Sequence, residues 1–135
     1  MKAILVLVLA LSLAACGGGA GGGMSMTDAA KQFLESTFKG DKEAWRAVAC
    51  EAIKGQADAL DAVRLPEGFS IDFSGLKYEV KEESGDSGKV GISGTVKMTM
   101  AGMSQEQNIQ DMNLGELLMK REGGSWKACS QNITN

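Results

Sequence analysis

The chain has 135 residues with 14 lysines and arginines against 17 aspartates and glutamates, a formal net charge of −3. That balance, with no run of basic residues, gives no reason to expect nucleic acid or charge-driven binding to anionic lipid headgroups. There is no histidine at all, which removes the commonest general base and the commonest zinc ligand.

The first element is a short apolar segment. Met1-Lys2 is followed by residues 3–15, in which Ser12 is the one hydroxyl among apolar residues. This is the charged start and hydrophobic core of a secretory signal, and it falls short of the about 20 apolar residues needed to span a bilayer. It closes on Leu13-Ala14-Ala15-Cys16, which resembles the lipobox of bacterial lipoproteins. The resemblance implies removal of residues 1–15 as a signal peptide, transfer of a diacylglycerol to the Cys16 sulfur, and acylation of the new amino group. Two or more acyl chains, at about 0.8 kcal/mol per buried methylene, hold a protein stably on a membrane. It further implies a bacterial cell-envelope location through the lipid anchor. With Gly17 and not aspartate after the cysteine, the outer membrane is favoured in a Gram-negative cell.

Residues 16–25 are then the lipidated cysteine and a linker. Gly17 to Gly23 holds six glycines and one alanine, a flexible composition with a root-mean-square span of roughly 15 Å. Loss of Lys2 with the signal leaves 13 basic and 17 acidic side chains, a net charge of −4, on about 120 residues. That length suits a single domain over residues 26–135.

Thr27 is a plausible N-cap for a first helix, with Asp28 in its first turn and Ala30, Phe33, Leu34, Thr37 and Phe38 at helical spacing. Gly40 stops that helix and Asp41 caps a second, which carries Ala44, Trp45, Val48 and Ala49 on one side. A third helical stretch runs from about Ile53 to Val63, ended by Pro66 and Gly68.

From Phe69 the period changes to two. Leu76, Tyr78 and Val80 alternate with Lys77, Glu79 and Lys81 up to a turn at Gly85-Asp86-Ser87-Gly88. The partner strand places Val90, Ile92, Val96, Met98 and Met100 on one face. After Ala101-Gly102 a third strand is expected over roughly Gln105 to Arg121, with a bulge or bend where the apolar parity changes near Gly115. Gly123-Gly124 turns into a last strand through Trp126 and Cys129. The sum is an α+β fold, with N-terminal helices packed on a curved four-stranded antiparallel sheet.

Assigning Cys16 to lipid leaves Cys50 and Cys129 as a pair in a compartment that permits disulfides, so a bond between them is expected. A redox pair or half of a metal site is the alternative, and it lacks both Cys-x-x-Cys spacing and histidine.

Ala30-Lys31-Gln32-Phe33-Leu34, Lys39-Gly40-Asp41 and the closing Leu118-Met119-Lys120-Arg121-Glu122-Gly123-Gly124-Ser125-Trp126-Lys127-Ala128-Cys129 give the chain a resemblance to the nuclear-transport-factor-2-like, cystatin-like superfamily. The layout resembles in particular that superfamily's small bacterial lipoproteins of unknown function with a lumazine-binding-like fold. The resemblance implies a cone between sheet and helices that serves as a catalytic pocket, a ligand cavity, an interface or a filled core. Catalytic members use a buried acid–base set, an aspartate with a tyrosine or a histidine with an aspartate.

In this chain the corresponding chemistry would fall to Asp72 or Asp111 with Tyr78, the single tyrosine. Strand alternation turns both carboxylates to solvent by default, and an unpaired buried charge is costly. Close-spaced thioethers at Met98, Met100 and Met103 are candidate copper(I) ligands. Against this, Met98 and Met100 continue an apolar face, which places them first in the core. No cofactor is implied. The leading expectation is a non-enzymatic envelope lipoprotein that binds a small apolar ligand or an envelope protein in the sheet concavity. An isomerase- or hydrolyase-type enzyme and a copper(I)-binding module are the alternatives.

Overall fold

A computed structural model describes residues 23–63 and 65–129. The proposed signal peptide and Cys16 lie outside the described residues. Helix α1 (Met26–Lys39) begins at Ser25, whose hydroxyl accepts a hydrogen bond from the Asp28 amide at 3.2 Å. Ser25, and not Thr27, is therefore the N-cap, because the helix starts two residues earlier than the apolar spacing suggests. Gly40 ends α1 in the left-handed conformation (φ 66°), and its amide reaches back to the last carbonyls of the helix. Asp41 caps α2 (Lys42–Val48) through Oδ1 on the Ala44 amide, as the sequence indicates. The third helical stretch is a 3-10 helix, Lys54–Ala62.

The sheet has six strands: β1 (Ser70–Asp72), β2 (Leu76–Ser84), β3 (Ser87–Met100), β4 (Met103–Asn108), β5 (Glu116–Glu122) and β6 (Ser125–Ala128). All the strand pairs are antiparallel. The α+β class stands, but the expected third strand is divided. A 3-10 turn over Ile109–Met112, capped by Asn108 and closed by Asn113 at φ 56°, separates β4 from β5. The parity change near Gly115 is the trace of that turn, and no bulge within one strand is present there.

Strand β3 organises the sheet. Its first half pairs with β2 on one side, from Leu76↔Gly94 to Ser84↔Ser87, and with β5 on the other, over Ser87↔Lys120 to Gly91↔Glu116. Its second half takes new neighbours, β1 through Ile71↔Met98 and β4 through Thr95↔Asn108 to Met100↔Met103. The exchange falls at Gly94, which has φ 105°. No side chain fits there, because a Cβ would run into the carbonyl oxygen of Gly75.

The core fills the concave side. Ala29, Ala30, Phe33 and Leu34 of α1 and Trp45 and Val48 of α2 meet Val90, Ile92, Leu117, Met119, Trp126 and Ala128 of the sheet. The Phe33 and Trp45 rings pack with centroids 5.3 Å apart. Ser36 and Thr37 are buried with them, and both hydroxyls donate to the Phe33 carbonyl, which satisfies them within the helix. Between helices and sheet, these side chains form the core.

Cys50 and Cys129 are joined by a disulfide with Cα atoms 5.3 Å apart. The Cys50 amide also donates to the Ala128 carbonyl at 2.8 Å, so the end of α2 is tied to β6 by a covalent and a hydrogen bond at one place.

Candidate functional site

The apolar face of β3 does not end where the core ends. Val96 is buried, Met98 on the same face is half-buried, and Met100 is 48% exposed. Helix α1 packs on β2, β3, β5 and β6. The β1–β3–β4 end of the sheet therefore carries the face outward into an open groove of about 470 Å³, lined by Phe69, Met98, Met100, Met103, Ser104 and Gln105.

Register explains which side chains meet there. Ile71 and Gln105 are both paired with Met98, and Met103 is paired with Met100, so all point to one side of the sheet. The Met100–Met103 hairpin turns on Ala101 (φ 50°) and Gly102 (φ 79°), the two positive angles of a type I′ turn. On the other face the Thr99 and Ser104 hydroxyls are 2.8 Å apart and hydrogen-bonded, which fixes the register of the hairpin.

Met98, Met100 and Met103 are thus brought together. This corrects the expectation that Met98 and Met100 continue into the core. Met103 is 74% exposed and Met100 48% exposed, so neither lies in the core. Sequence reading gave no role to Phe69 or Gln105. Their signal is weak because β1 is three residues long, and Gln105 is a polar residue paired opposite a methionine.

The carboxylate candidates are placed differently. Asp72 is exposed, and its Oδ1 accepts the Ser74 amide at 2.8 Å. The Ser74 hydrogen bonds and, to a smaller degree, the Lys97 charge hold its carboxyl below the usual aspartate range. A general base with a raised pKa needs the opposite environment. Asp111 is exposed in the 3-10 turn.

Tyr78 is half-buried against the core. Its hydroxyl is enclosed without a hydrogen-bond partner among the described residues, so it is bonded to neither aspartate. Burial, with a smaller contribution from the Glu35 charge, pushes its pKa up to about 12.

Two other places gather polar groups. A cleft of about 350 Å³ along the outer side of α1 is lined by Asp28, Lys31, Glu35, Lys39 and Asp41 among others. Its charges are of both signs, and Lys39 is already paired with Glu35 at 3.3 Å, which leaves no convergent set. Glu122 lies beside the Cys50–Cys129 bond, close enough for its carboxylate and the two sulfurs to surround an ion. Those sulfurs are bonded to each other, and Glu122 Oε2 accepts the Glu51 amide at 3.0 Å, so the trio reads as a braced disulfide.

No protein-family model matches the chain, and no curated protein matches it by sequence. Among solved structures it is similar to a SEC-C motif containing protein from Rhodopseudomonas palustris, at 15% identity over 72% of this chain and 69% of that one, with a TM-score of 0.45. It is also similar to a five-substitution variant of the protein Rd1NTF2_05, at 16% identity over 73% of this chain and 86% of that one, with a TM-score of 0.43. Both likenesses are of layout alone.

Proposed function

We propose that the chain is a lipid-anchored, non-enzymatic binding module of the bacterial cell envelope. Its domain is of the nuclear-transport-factor-2-like, cystatin-like kind, and its working surface is the groove at the β1–β3–β4 end of the sheet. The observation that carries this reading is the continuation of the β3 apolar face, from buried Val96 to exposed Met100, into an open groove. An apolar face left in water is unfavourable by about 25 cal/mol for each Å² that an occupant would cover, and a small apolar ligand recovers that energy.

The enzymatic alternative has less support. Asp72 and Asp111 are exposed, and the Tyr78 hydroxyl has no hydrogen-bond partner among the described residues. The anchor rests on Leu13-Ala14-Ala15-Cys16, and the disulfide suits the same compartment.

The test has two arms. Intact mass of the membrane fraction is expected to show a chain that starts at Cys16 and carries acyl groups, and Cys16→Ser is expected to abolish both processing and lipid. The apolar fluorophore N-phenylnaphthylamine is expected to bind the folded chain, and Met100→Glu to weaken it. An unprocessed chain would sink the anchor, and dye binding indifferent to Met100→Glu would sink the groove.

A further inference from the structure

We infer that Met98, Met100 and Met103 form a copper(I) site. The inference rests on the reading of the groove as the working surface and names an ion that this surface takes.

Methionine sulfur is a neutral, polarisable donor, and among biological cations it suits the soft copper(I) ion far better than zinc, magnesium or calcium. A lone exposed methionine says little. Three on one face, held by sheet register, are a donor set.

The spacing is right for three sulfurs on one ion. Met100 and Met103 are directly paired across the hairpin, which puts their Cβ atoms about 5 Å apart. Met98 precedes Met100 on the same face, about 7 Å along the strand. Methionine has three rotatable bonds beyond its Cα, so side chains rooted at those distances reach a common point between them.

Their roots, by contrast, are fixed. The type I′ turn at Ala101-Gly102 and the Thr99–Ser104 hydroxyl pair hold the hairpin from its end and from its far face. The surroundings also suit an ion of low charge. Phe69 closes one side, and among the described residues none that lines the groove carries a carboxylate to favour a harder cation.

Thioethers are not protonated in water, so the site has no proton to lose before it binds. A thiolate or imidazole site weakens as the pH falls. This one keeps its affinity between about pH 5 and pH 8, which distinguishes it from binding at a free cysteine.

The full chain carrying Cys16→Ser, with its disulfide intact and in mild detergent, is titrated against the coloured copper(I)–bicinchoninate complex under ascorbate. N-phenylnaphthylamine binding is measured on the same samples. One equivalent of copper(I) is expected to leave the chelator at either pH. The triple variant Met98→Leu, Met100→Leu, Met103→Leu keeps the groove apolar and removes the sulfur. It is expected to bind at least about tenfold more weakly, the lower end of what even the outer partners of a metal site contribute, while it still binds the dye.

Copper(I) bound equally by the triple variant, or by neither protein, overturns the site. If both proteins take the dye and neither takes copper, the copper inference falls and the groove remains. If neither takes dye or copper, both readings fall. Should the triple variant not fold, Met103→Leu alone, at the most exposed of the three positions, is expected to weaken copper(I) binding, and an unchanged affinity there would overturn the site.

Discussion

The carbonyl oxygen of Gly75 occupies the space in which a side chain on Gly94 would stand. The two glycines let the start of β2 pass close over β3 where β3 exchanges its neighbours. Gly94→Ala adds a steric conflict to a φ of 105° that L residues rarely adopt. The expected cost is at least about 2 kcal/mol, read as a shifted urea midpoint. Because the conflict is at the bend, dye binding in the groove is expected to weaken before the fold is lost.

The bond between Cys50 and Cys129 closes a loop across 79 positions. Loop-closure entropy alone would give it about 4 kcal/mol, and measured values usually fall at about 2–4. The double variant Cys50→Ala, Cys129→Ala is therefore expected to lose 2 kcal/mol or more, by about that same estimate. A matching loss on reduction of the native chain would assign the effect to the bond. No loss in either case would mean that the pair is a bystander.

Much of this layout was legible in the sequence. Asp41 before Ala44 and Trp45, Gly40 after Lys39, and the Val90–Ile92–Val96 alternation gave the caps and the long strand directly. Local pattern reports local geometry, and these elements are local. The branching of β3 was not legible, because nothing in Ser70-Ile71-Asp72 or Gln105-Glu106-Gln107 states which half of β3 it will pair with. The same gap hid the groove. Period two puts Met100 on the same face as Val90, but whether that face is covered depends on where α1 and α2 end, a tertiary fact.

Tyr78 is the single tyrosine, so phenolate absorbance in the ultraviolet reads it alone. The folded chain is expected to titrate at about 12, against about 10 for the denatured chain. The sign follows from linkage. Between those values the unfolded chain has released a proton that the folded chain keeps, so stability falls as the pH rises from about 10 towards 12 and is unaffected by this group below that range. Tyr78→Phe removes a buried hydroxyl that has no partner among the described residues, and is expected to gain up to about 1 kcal/mol. A clear loss would show that the hydroxyl has a partner after all.

Ala101 holds a positive φ of 50° with a side chain attached. Ala101→Gly relieves roughly 1 kcal/mol of left-handed strain and gives back part of it as unfolded-chain entropy, for a net gain of about 0.5 kcal/mol. Ala101→Val is expected to lose more than about 1 kcal/mol. Thermal melts of the two variants should move in opposite directions, and a common direction would contradict the turn assignment.

Strand β3 also has a near end and a far end. Met24 accepts the Trp126 amide through its carbonyl, and Met26 lies against Gly88, so the chain enters the domain beside the first residues of β3. Met100 closes the other end, up to roughly 40 Å away by strand rise and somewhat less along the bent path. The chain's entry at Met24 and the methionine groove thus lie at opposite ends of one strand, so a change made ahead of Met24 leaves the groove's lining untouched.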